Sequence, residues 1–407
     1  MKPSHYYFLG TGSWFFSYGI QSVTFAWLVT IVLHESPEKV GIAQMAFLLP
    51  ALILMLFGGS LADQYGGRIV ALFGQLLAAL SVLALIVSFV MDIFSYTILL
   101  VFAVGMGIAQ SLVTPARDGL LALIADGKIQ RRVVQVSMMQ FGVQILGFLI
   151  ASFADQVGAI IILLIQFTVL FLGMAAFKQL QIPETIPSKR DNSLFLHLFQ
   201  SINTGFQTIR RSSSMLMVVT MNCAIGMFFM GSYIVTIPLL LREFYGGAST
   251  QLAMLNVANS LGLVLTMFCM LRLGDIHRQG RALILASAFG AIVLATAGLN
   301  LGFPALVVSV FLWGMCGGMG MTISRTVMQE RAPPGQRARI MSFFSFSFMG
   351  AGTIGALYNG YMVQWFGAAT AIITSCCAVL IMVTIVILKS DLWRLDSRHW
   401  EPDSHTA

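Results

Sequence analysis

The chain has 407 residues, of which 57% are hydrophobic and only 10% are charged, with a formal net charge of +7. Soluble globular proteins carry about 25% charged residues, so this composition excludes a soluble multidomain protein, a disordered chain, a coiled coil and a secreted disulfide scaffold. The remaining class is a protein whose surroundings are mainly lipid. Because lipid satisfies no backbone polar groups, we expect an all-α integral membrane protein.

The charged residues divide the chain into ten long stretches that contain no Asp, Glu, Lys or Arg. Eight of them are 22 to 30 residues long, which suffices for one helix across about 30 Å of hydrocarbon. The other two, of 43 and 49 residues, contain turn signals at 300–304 and 364–367 and predict two helices each. In chain order the stretches are 6–33, 40–62, 69–91, 93–116, 133–154, 156–177, 212–241, 244–271, 282–324 and 340–388. Twelve membrane-spanning helices are therefore predicted.

Lysine and arginine are distributed unequally between the connections. When alternate connections are assigned to the two sides of the membrane, the side with both termini receives 21 basic residues and the other only Lys39 and Arg242. Basic residues accumulate in cytoplasmic loops, so we expect a multi-pass protein of the cytoplasmic (inner) membrane with both termini inside. The positive charge is thus a topology signal and not a nucleic-acid footprint. The side that holds Lys39 and Arg242 is called the outer side below.

A polar connection halfway along the chain predicts the domain organisation. Its segment 193–210 favours an interfacial amphipathic helix. The predicted divisions are an N-terminal six-helix bundle, a cytoplasmic linker, a C-terminal six-helix bundle and a cytoplasmic tail, at 1–177, 178–211, 212–389 and 390–407.

The two halves repeat each other at a nearly constant offset. Asp63 and Asp275 follow spans 2 and 8 and are 212 residues apart. Gly158 and Gly367 end spans 5 and 11 and are 209 residues apart. Duplicated bundles of this kind are typical of secondary transporters, whose substrate site lies near the middle of the membrane.

The loop after span 2 carries the motif G-x-L-A-D-x-x-G-x-R at 59–68, and a weaker copy follows span 8 at 273–281. With twelve spans in two groups of six, the chain resembles the major facilitator superfamily over essentially its whole length. Phe-x-x-Pro50, Thr114-Pro115-Ala116-Arg117 and the segment 325–342 are similar to its efflux branch related to enterobactin and macrolide exporters. The resemblance implies the major facilitator fold and transport of a small molecule by alternating access.

Three features depart from related transporters. The segment 101–105 lacks the arginine that many proton-coupled members carry in span 4, Phe148 stands where drug/proton antiporters usually have Gly-Pro, and Ile20 stands where many efflux-branch relatives have an acidic residue in span 1. The departures in spans 5 and 1 favour uptake or an atypical export mechanism.

The loop motif has two interpretations. In the first it is a gate: Gly59 permits close helix packing, while Arg68 pairs with Asp118 and latches the cytoplasmic ends of the bundles in the outward-open state. In the second, these residues form surface ion pairs of about 0–1 kcal/mol that only orient the loops. We expect the gate for the motif itself, and both interpretations stay open for its partners. The predicted gating residues are Gly59, Asp63, Gly66, Arg68, Arg117, Asp118, Asp275, Arg281, Arg325 and Glu330.

No acidic residue and no histidine lies in the middle of a predicted span. A charge at that depth costs at least about 2.5–3.5 kcal/mol and marks an ion route. We therefore expect a neutral, zwitterionic or amphipathic substrate that is held by amides, hydroxyls and aromatic faces. Proton coupling would have to use carboxylates at the span edges, namely Asp63, Asp92, Asp118 or Asp155.

Amide side chains inside the spans are the candidates for substrate contact. For each one, a ligand role and a helix-packing role of about 0.6 kcal/mol are equally supported. Gln140 and Gln144 share a helix face, as do Asn256 and Asn259. The predicted substrate-binding residues are Gln21, Gln110, Gln140, Gln144, Asn222, Tyr233, Asn256 and Asn259, and further candidates are Gln44 and Asn359.

No catalytic motif or metal-ligand cluster is found, and the five cysteines lack C-x-x-C spacing. We therefore expect no enzymatic activity, no cofactor and no metal. The leading hypothesis is a monomeric secondary transporter in the lipid bilayer that exports a small molecule. The alternatives are an uptake permease or facilitator of the same fold, and a membrane signalling or assembly protein that does not transport.

Overall fold

The computed structural model is helical throughout the spans that it describes. The described residues are 3–124, 129–180, 206–273, 276, 278–333, 337–390 and 393. The helices of the first half are α1 (Pro3–Trp27), α2 (Pro37–Tyr65), α3 (Gly67–Val90), α4 (Tyr96–Ile124), α5 (Ile129–Ala151) and α6 (Ala159–Gln179). Those of the second half are α7 (Ser213–Tyr245), α8 (Ser249–Leu273), α9 (Gln279–Ala297), α10 (Phe303–Arg331), α11 (Arg337–Phe366) and α12 (Ala368–Lys389).

The helices correspond to the predicted membrane spans. Among the described residues, eleven are long and apolar enough to cross a membrane, judged by length and composition. The remaining predicted span lies on α11, which is 30 residues long and carries Asn359 and Gln364 between its apolar residues. The predicted fold class, an all-α integral membrane protein, is therefore confirmed.

Turns of matching geometry join helices in the two halves. Gly158 and Gly367 have φ angles of +84° and +80° and directly precede α6 and α12. Glycine adopts this left-handed backbone without steric cost. Asp92 and Asn300, before α4 and α10, form a second left-handed pair with φ angles of +56° and +50°. The turn geometry agrees with the duplication that the sequence predicts.

Two helices change from α-helical to π-helical geometry. α1 continues as a π turn over Leu28–Val32, and α7 contains π turns over Ile225–Met230 and Ser232–Thr236. Such π turns are rare and are frequent at functional sites.

The second π turn of α7 has a cause in the sequence. Pro238 has no N–H, and its ring clashes with the carbonyl four residues earlier, which belongs to Ile234. The regular hydrogen-bond ladder cannot continue there. The amide of Ile237 instead bonds to the carbonyl of Ser232, five residues earlier.

The helices group into two compact units. The first contains α1–α6 together with Gly231–Val257 and Thr353–Ala368, which are the outer ends of α7, α8 and α11. The second contains the other parts of α7, α8 and α11, with α9, α10 and most of α12. The domain division by repeats stays a prediction. Most of the predicted amphipathic helix lies outside the described residues, and its last residues, 206–210, are helical.

Buried amides hold α1 in place within the first unit. Gln166 of α6 donates to the Ser17 hydroxyl at 3.1 Å, and Gln75 of α3 donates to the Gly10 carbonyl at 2.9 Å. Both glutamines are almost completely buried. For these two amides the contacts indicate helix packing, which is one of the two roles that the sequence allows for amides inside the spans.

Candidate functional site

The predicted gating arginines of the first half have partners other than those expected. Arg68 Nη1 donates to the Leu180 carbonyl at 3.0 Å, and Arg117 donates to Asp118 through Nε at 3.2 Å and Nη2 at 3.1 Å. The expected Arg68–Asp118 pair is replaced by these two contacts. The last carbonyls of a helix such as α6 lack in-helix donors, so an arginine beside them supplies one.

The close approach of α2 and α4 is made by Gly58 and not by the predicted Gly59. A Cβ atom at Gly58 would collide with the Ser111 carbonyl oxygen. A Cβ atom at Gly59 would only make ordinary contact with Pro115, at 3.8 Å. The glycine at this crossing is therefore the residue directly before the motif.

The gating residues of the second half also have other partners. Arg281 Nε donates to the Trp393 carbonyl at 3.2 Å, and its guanidinium lies 5.4 Å from the centre of the Trp393 ring. Glu330 accepts a hydrogen bond from Gln279 Nε2 at 3.1 Å. Both contacts lie within the second unit.

The other predicted gating positions are placed as follows. Gly66 forms the turn between α2 and α3 with a φ angle of +87°. Arg325 is exposed on α10. The side chain of Asp63 and the whole of Asp275 lie outside the described residues.

Three amide side chains of the first unit converge on the second π turn of α7. Gln44 Nε2 on α2 donates to the Ile234 carbonyl at 3.1 Å. Asn256 Oδ1 on α8 accepts from the Tyr233 hydroxyl at 2.6 Å. Asn359 Oδ1 on α11 accepts from two hydroxyls of this turn, at 3.1 and 3.0 Å. We call this group the polar collar; its members are Gln44, Ser232, Tyr233, Thr236, Asn256 and Asn359.

Asn359 is a fully buried member of the polar collar, as are Ser232 and Thr236. Asn359 Nδ2 donates to the Gly355 carbonyl at 2.9 Å. A Cβ atom at Gly231 would collide with Asn359 Nδ2 and lie 2.6 Å from the Gly355 carbonyl oxygen. Glycine at position 231 therefore lets α7 and α11 approach closely enough for the collar to form.

A second group of contacts lies nearer the outer end of the same unit. Asp155 Oδ1 accepts from the Trp27 indole N–H at 2.7 Å, and Asp155 Oδ2 accepts from the Ser249 amide at 2.5 Å. The Ser249 hydroxyl donates to the Ser152 carbonyl at 3.0 Å. The carboxylate thus lies at the start of α8, where the helix dipole stabilises negative charge.

Arg242 and Glu243, at the end of α7, extend these contacts. Arg242 Nη1 donates to the carbonyls of Thr30 at 3.2 Å and Glu35 at 2.6 Å. Glu243 Oε2 accepts from the Ala368 amide at 3.3 Å. We call this second group the outer clasp; its members are Trp27, Asp155, Arg242, Glu243 and Ser249.

The structure therefore brings two predicted substrate-binding residues, Tyr233 and Asn256, together in the polar collar. Asn222 is used elsewhere: its Nδ2 donates to the Phe344 carbonyl at 3.0 Å and to the Ser347 hydroxyl at 3.2 Å. These contacts join α7 to α11 within the second unit, which is a packing role.

The other predicted substrate-binding residues lie on α1, α4, α5 and α8. Gln21 is buried on α1, whereas Gln140 and Gln144 are half-buried on one face of α5. Gln110 is half-buried, and its Oε1 is buried without a hydrogen-bond partner among the described residues. Asn259 is half-buried on α8. Among the described residues, no group of three His, Cys, Asp or Glu side chains could hold a metal ion.

Sequence reasoning missed the roles of Arg242 and Pro238. Arg242 is one of only two basic residues on the predicted outer side, and that exception was the available signal. Pro238 inside a predicted span was the signal for a carbonyl without an in-helix donor. Neither signal names the partner, because Thr30 is 212 residues from Arg242.

The chain is similar to a known protein family and to a known transporter sequence. The family described as transmembrane secretion effector matches residues 9–407. An uncharacterized MFS-type transporter of Bacillus subtilis, YfiS, is 23% identical over 380 residues, which cover 89% of this chain and 86% of YfiS.

Solved transporter structures share the fold. Peptide transporter POT superposes with a TM-score of 0.77 at 14% identity, covering 96% of this chain and 95% of its own. The nucleoside transporter NupG has a TM-score of 0.75 at 12% identity, with 95% and 99% coverage. A D-xylose-proton symporter has a TM-score of 0.71 at 14% identity, with 97% coverage of both chains.

Proposed function

Because the chain belongs to the transmembrane secretion effector family of the major facilitator superfamily, we propose that it exports a small neutral, zwitterionic or amphipathic compound by alternating access. Family membership makes the chain a multi-pass secondary active transporter and not an enzyme. The proposal adds the outward direction, the substrate class and membership of the efflux branch related to enterobactin and macrolide exporters.

The observation that carries the substrate class is the uncharged middle of the spans. The polar collar presents amides and hydroxyls, and none of its members is charged. A fixed charge would be needed to offset the desolvation of a strongly ionic substrate. Uncharged donors and acceptors suit a substrate whose own polar groups need hydrogen bonds.

We further propose that the polar collar and the outer clasp close the outer end in one state of the transport cycle. The protein would lie in the cytoplasmic membrane as a monomer with both termini inside, organised as the two predicted six-helix bundles.

Asp155 is the edge carboxylate best placed for proton coupling, since its two oxygens accept from Trp27 and Ser249. Protonation would weaken both contacts and favour opening.

Transport in inside-out membrane vesicles tests the export proposal. Vesicles with the protein should accumulate the neutral probe N-phenylnaphthylamine faster than vesicles without it, and should not accumulate the hydrophilic permanent cation tetramethylammonium. Accumulation only in right-side-out vesicles would contradict export, and equal transport of tetramethylammonium would contradict the substrate class.

The Asp63→Asn variant tests the proposed role of the loop motif as a gate. We expect a transport rate reduced about tenfold, since a carboxylate at the membrane edge makes charge-assisted hydrogen bonds worth about 1.5–3 kcal/mol. The initial transport rate per folded molecule is the measurement. An unchanged rate and unchanged conformational exchange would leave only the surface ion-pair interpretation.

A pair of variants should separate substrate contact from packing. Tyr233→Phe removes the hydroxyl that donates to Asn256 Oδ1, and we expect a severalfold lower transport rate per folded molecule with a stability loss of about 0.6 kcal/mol. Asn222→Leu removes the bonds between α7 and α11, and we expect a loss of about 0.6 kcal/mol or more in stability with normal transport per folded molecule. Transport assays and thermal melts on both variants would check this; the reverse pattern would contradict the assignment.

A further inference from the structure

In the second π turn of α7, a proline removes the usual in-helix donor of one backbone carbonyl. In an α-helix, the Ile234 carbonyl would accept from the amide four residues later. That residue is Pro238, which has no N–H. The carbonyl accepts instead from Gln44 Nε2, at 3.1 Å.

The π turn of α1 has the same property for a different reason. The π turn ends at Val32 with Leu33 as its C-cap, and the next residue, His34, has a left-handed φ angle of +50°. The amide of Glu35 bonds to the Val29 carbonyl at 3.2 Å, and the Thr30 carbonyl accepts from Arg242 Nη1 at 3.2 Å. His34 Nδ1 lies 3.2 Å from the same carbonyl oxygen.

These two contacts are reciprocal between the halves of the sequence. Gln44 belongs to the first half and binds a carbonyl of α7, whereas Arg242 belongs to α7 and binds a carbonyl of α1. All four groups lie in the first compact unit. Gln44 stands in for the in-helix amide that Pro238 removes, so its loss takes away the donor of the Ile234 carbonyl. Loss of Arg242 takes away one of the two groups beside the Thr30 carbonyl and leaves His34 Nδ1 there.

We infer that Gln44 and Arg242 are positioning residues that set the closed state of the outer end by binding these two carbonyls. The inference rests on the alternating access proposed above. When the outer end opens, both donors must leave. The Ile234 and Thr30 carbonyls then lose the hydrogen bonds that the closed state supplies, and this difference favours closure.

Distance measurements on the full-length protein test the inference. The five native cysteines are first replaced, and spin labels are then attached at Ile93 and Trp365, which are 56% and 68% exposed. Double electron–electron resonance measures the distance between these labels at the outer end of the first unit. Gln44→Leu and Arg242→Met, which remove the donors, should each raise the ratio of long to short distances about tenfold. Arg242→Lys keeps a donor, and its distance distribution should remain close to that of the wild type.

Pro238→Ala supplies a second, independent test of the α7 carbonyl. The new amide can donate to the Ile234 carbonyl within the helix and so competes with Gln44. We expect a shift toward long distances in the same direction as for Gln44→Leu. A distribution that matches the wild type in Pro238→Ala, Gln44→Leu and Arg242→Met would overturn the inference.

Two control variants separate this role from general loosening. Gln166→Leu removes a buried amide contact inside the first half, and Arg272→Gln removes a guanidinium that lies 5.1 Å from the ring centre of Phe268 on its own helix. Both should keep the wild-type distances, and equal shifts in the controls would overturn the inference. A wild type with one distance under all conditions would overturn alternating access and this inference together.

Discussion

Replacing Gly360 with valine is expected to lower the transport rate at least about tenfold. Gly360 lies on α11 where it crosses α2. A Cβ atom at this position would lie 2.8 Å from the Pro37 carbonyl oxygen and 3.0 Å from the Gly41 Cα. Because both obstacles are backbone atoms, the two helices must separate to admit the side chain.

Such a separation acts directly on the polar collar. Asn359 neighbours Gly360, and Gln44 lies one helical turn from Gly41. Moving α2 away from α11 pulls Gln44 and Asn359 apart, although both bind the same turn of α7. We expect an outer end held open, with an overpacking cost of about 1–3 kcal/mol. The measurements are the transport rate per folded molecule and the melting temperature.

Two other glycines provide matched controls for Gly360→Val. Gly147 makes an even tighter crossing, where a Cβ atom would collide with the Phe16 carbonyl oxygen, but it joins α1 and α5 inside the first half. Gly147→Val should lower the melting temperature and leave transport per folded molecule intact. Gly142 has no atom within 4 Å of its Cβ position, and Gly142→Ala should be neutral. Normal transport by Gly360→Val would show that this crossing need not close tightly.

The sequence was sufficient to predict the helices. Charges cannot lie in the hydrocarbon, so their positions predict the span ends, and the helices follow those stretches. No such rule along the sequence predicts the partners of polar side chains. Asp118 pairs with its neighbour Arg117, whereas Arg68 donates to the Leu180 carbonyl, 112 residues away.

The amides show the same limit at the candidate site. Helical spacing indicates that Asn256 and Asn259 share a face, and it does not reveal that Asn256 bonds to Tyr233. Asn222 and Asn359 are both buried asparagines. One joins α7 to α11 in the second unit and the other binds the π turn. Only the packing of neighbouring helices separates these roles.

The outer clasp leads to the second large expected effect. Asp155→Ala should raise the open population about tenfold or more and lower the transport rate by a similar factor. The carboxylate accepts from the Trp27 indole and from the Ser249 amide, and hydrogen bonds to charged groups are worth about 1.5–3 kcal/mol each. The alanine leaves both donors without their acceptor.

The Asp155→Asn variant distinguishes a structural contact from a proton-coupled one. An asparagine keeps one acceptor oxygen, so it should retain part of the closure and transport at an intermediate rate. It cannot be protonated, however. If the proton coupling proposed above runs through this carboxylate, the wild-type transport rate should depend on the outer pH. Asp155→Asn should flatten that dependence, and an unchanged pH profile would assign the coupling to another group.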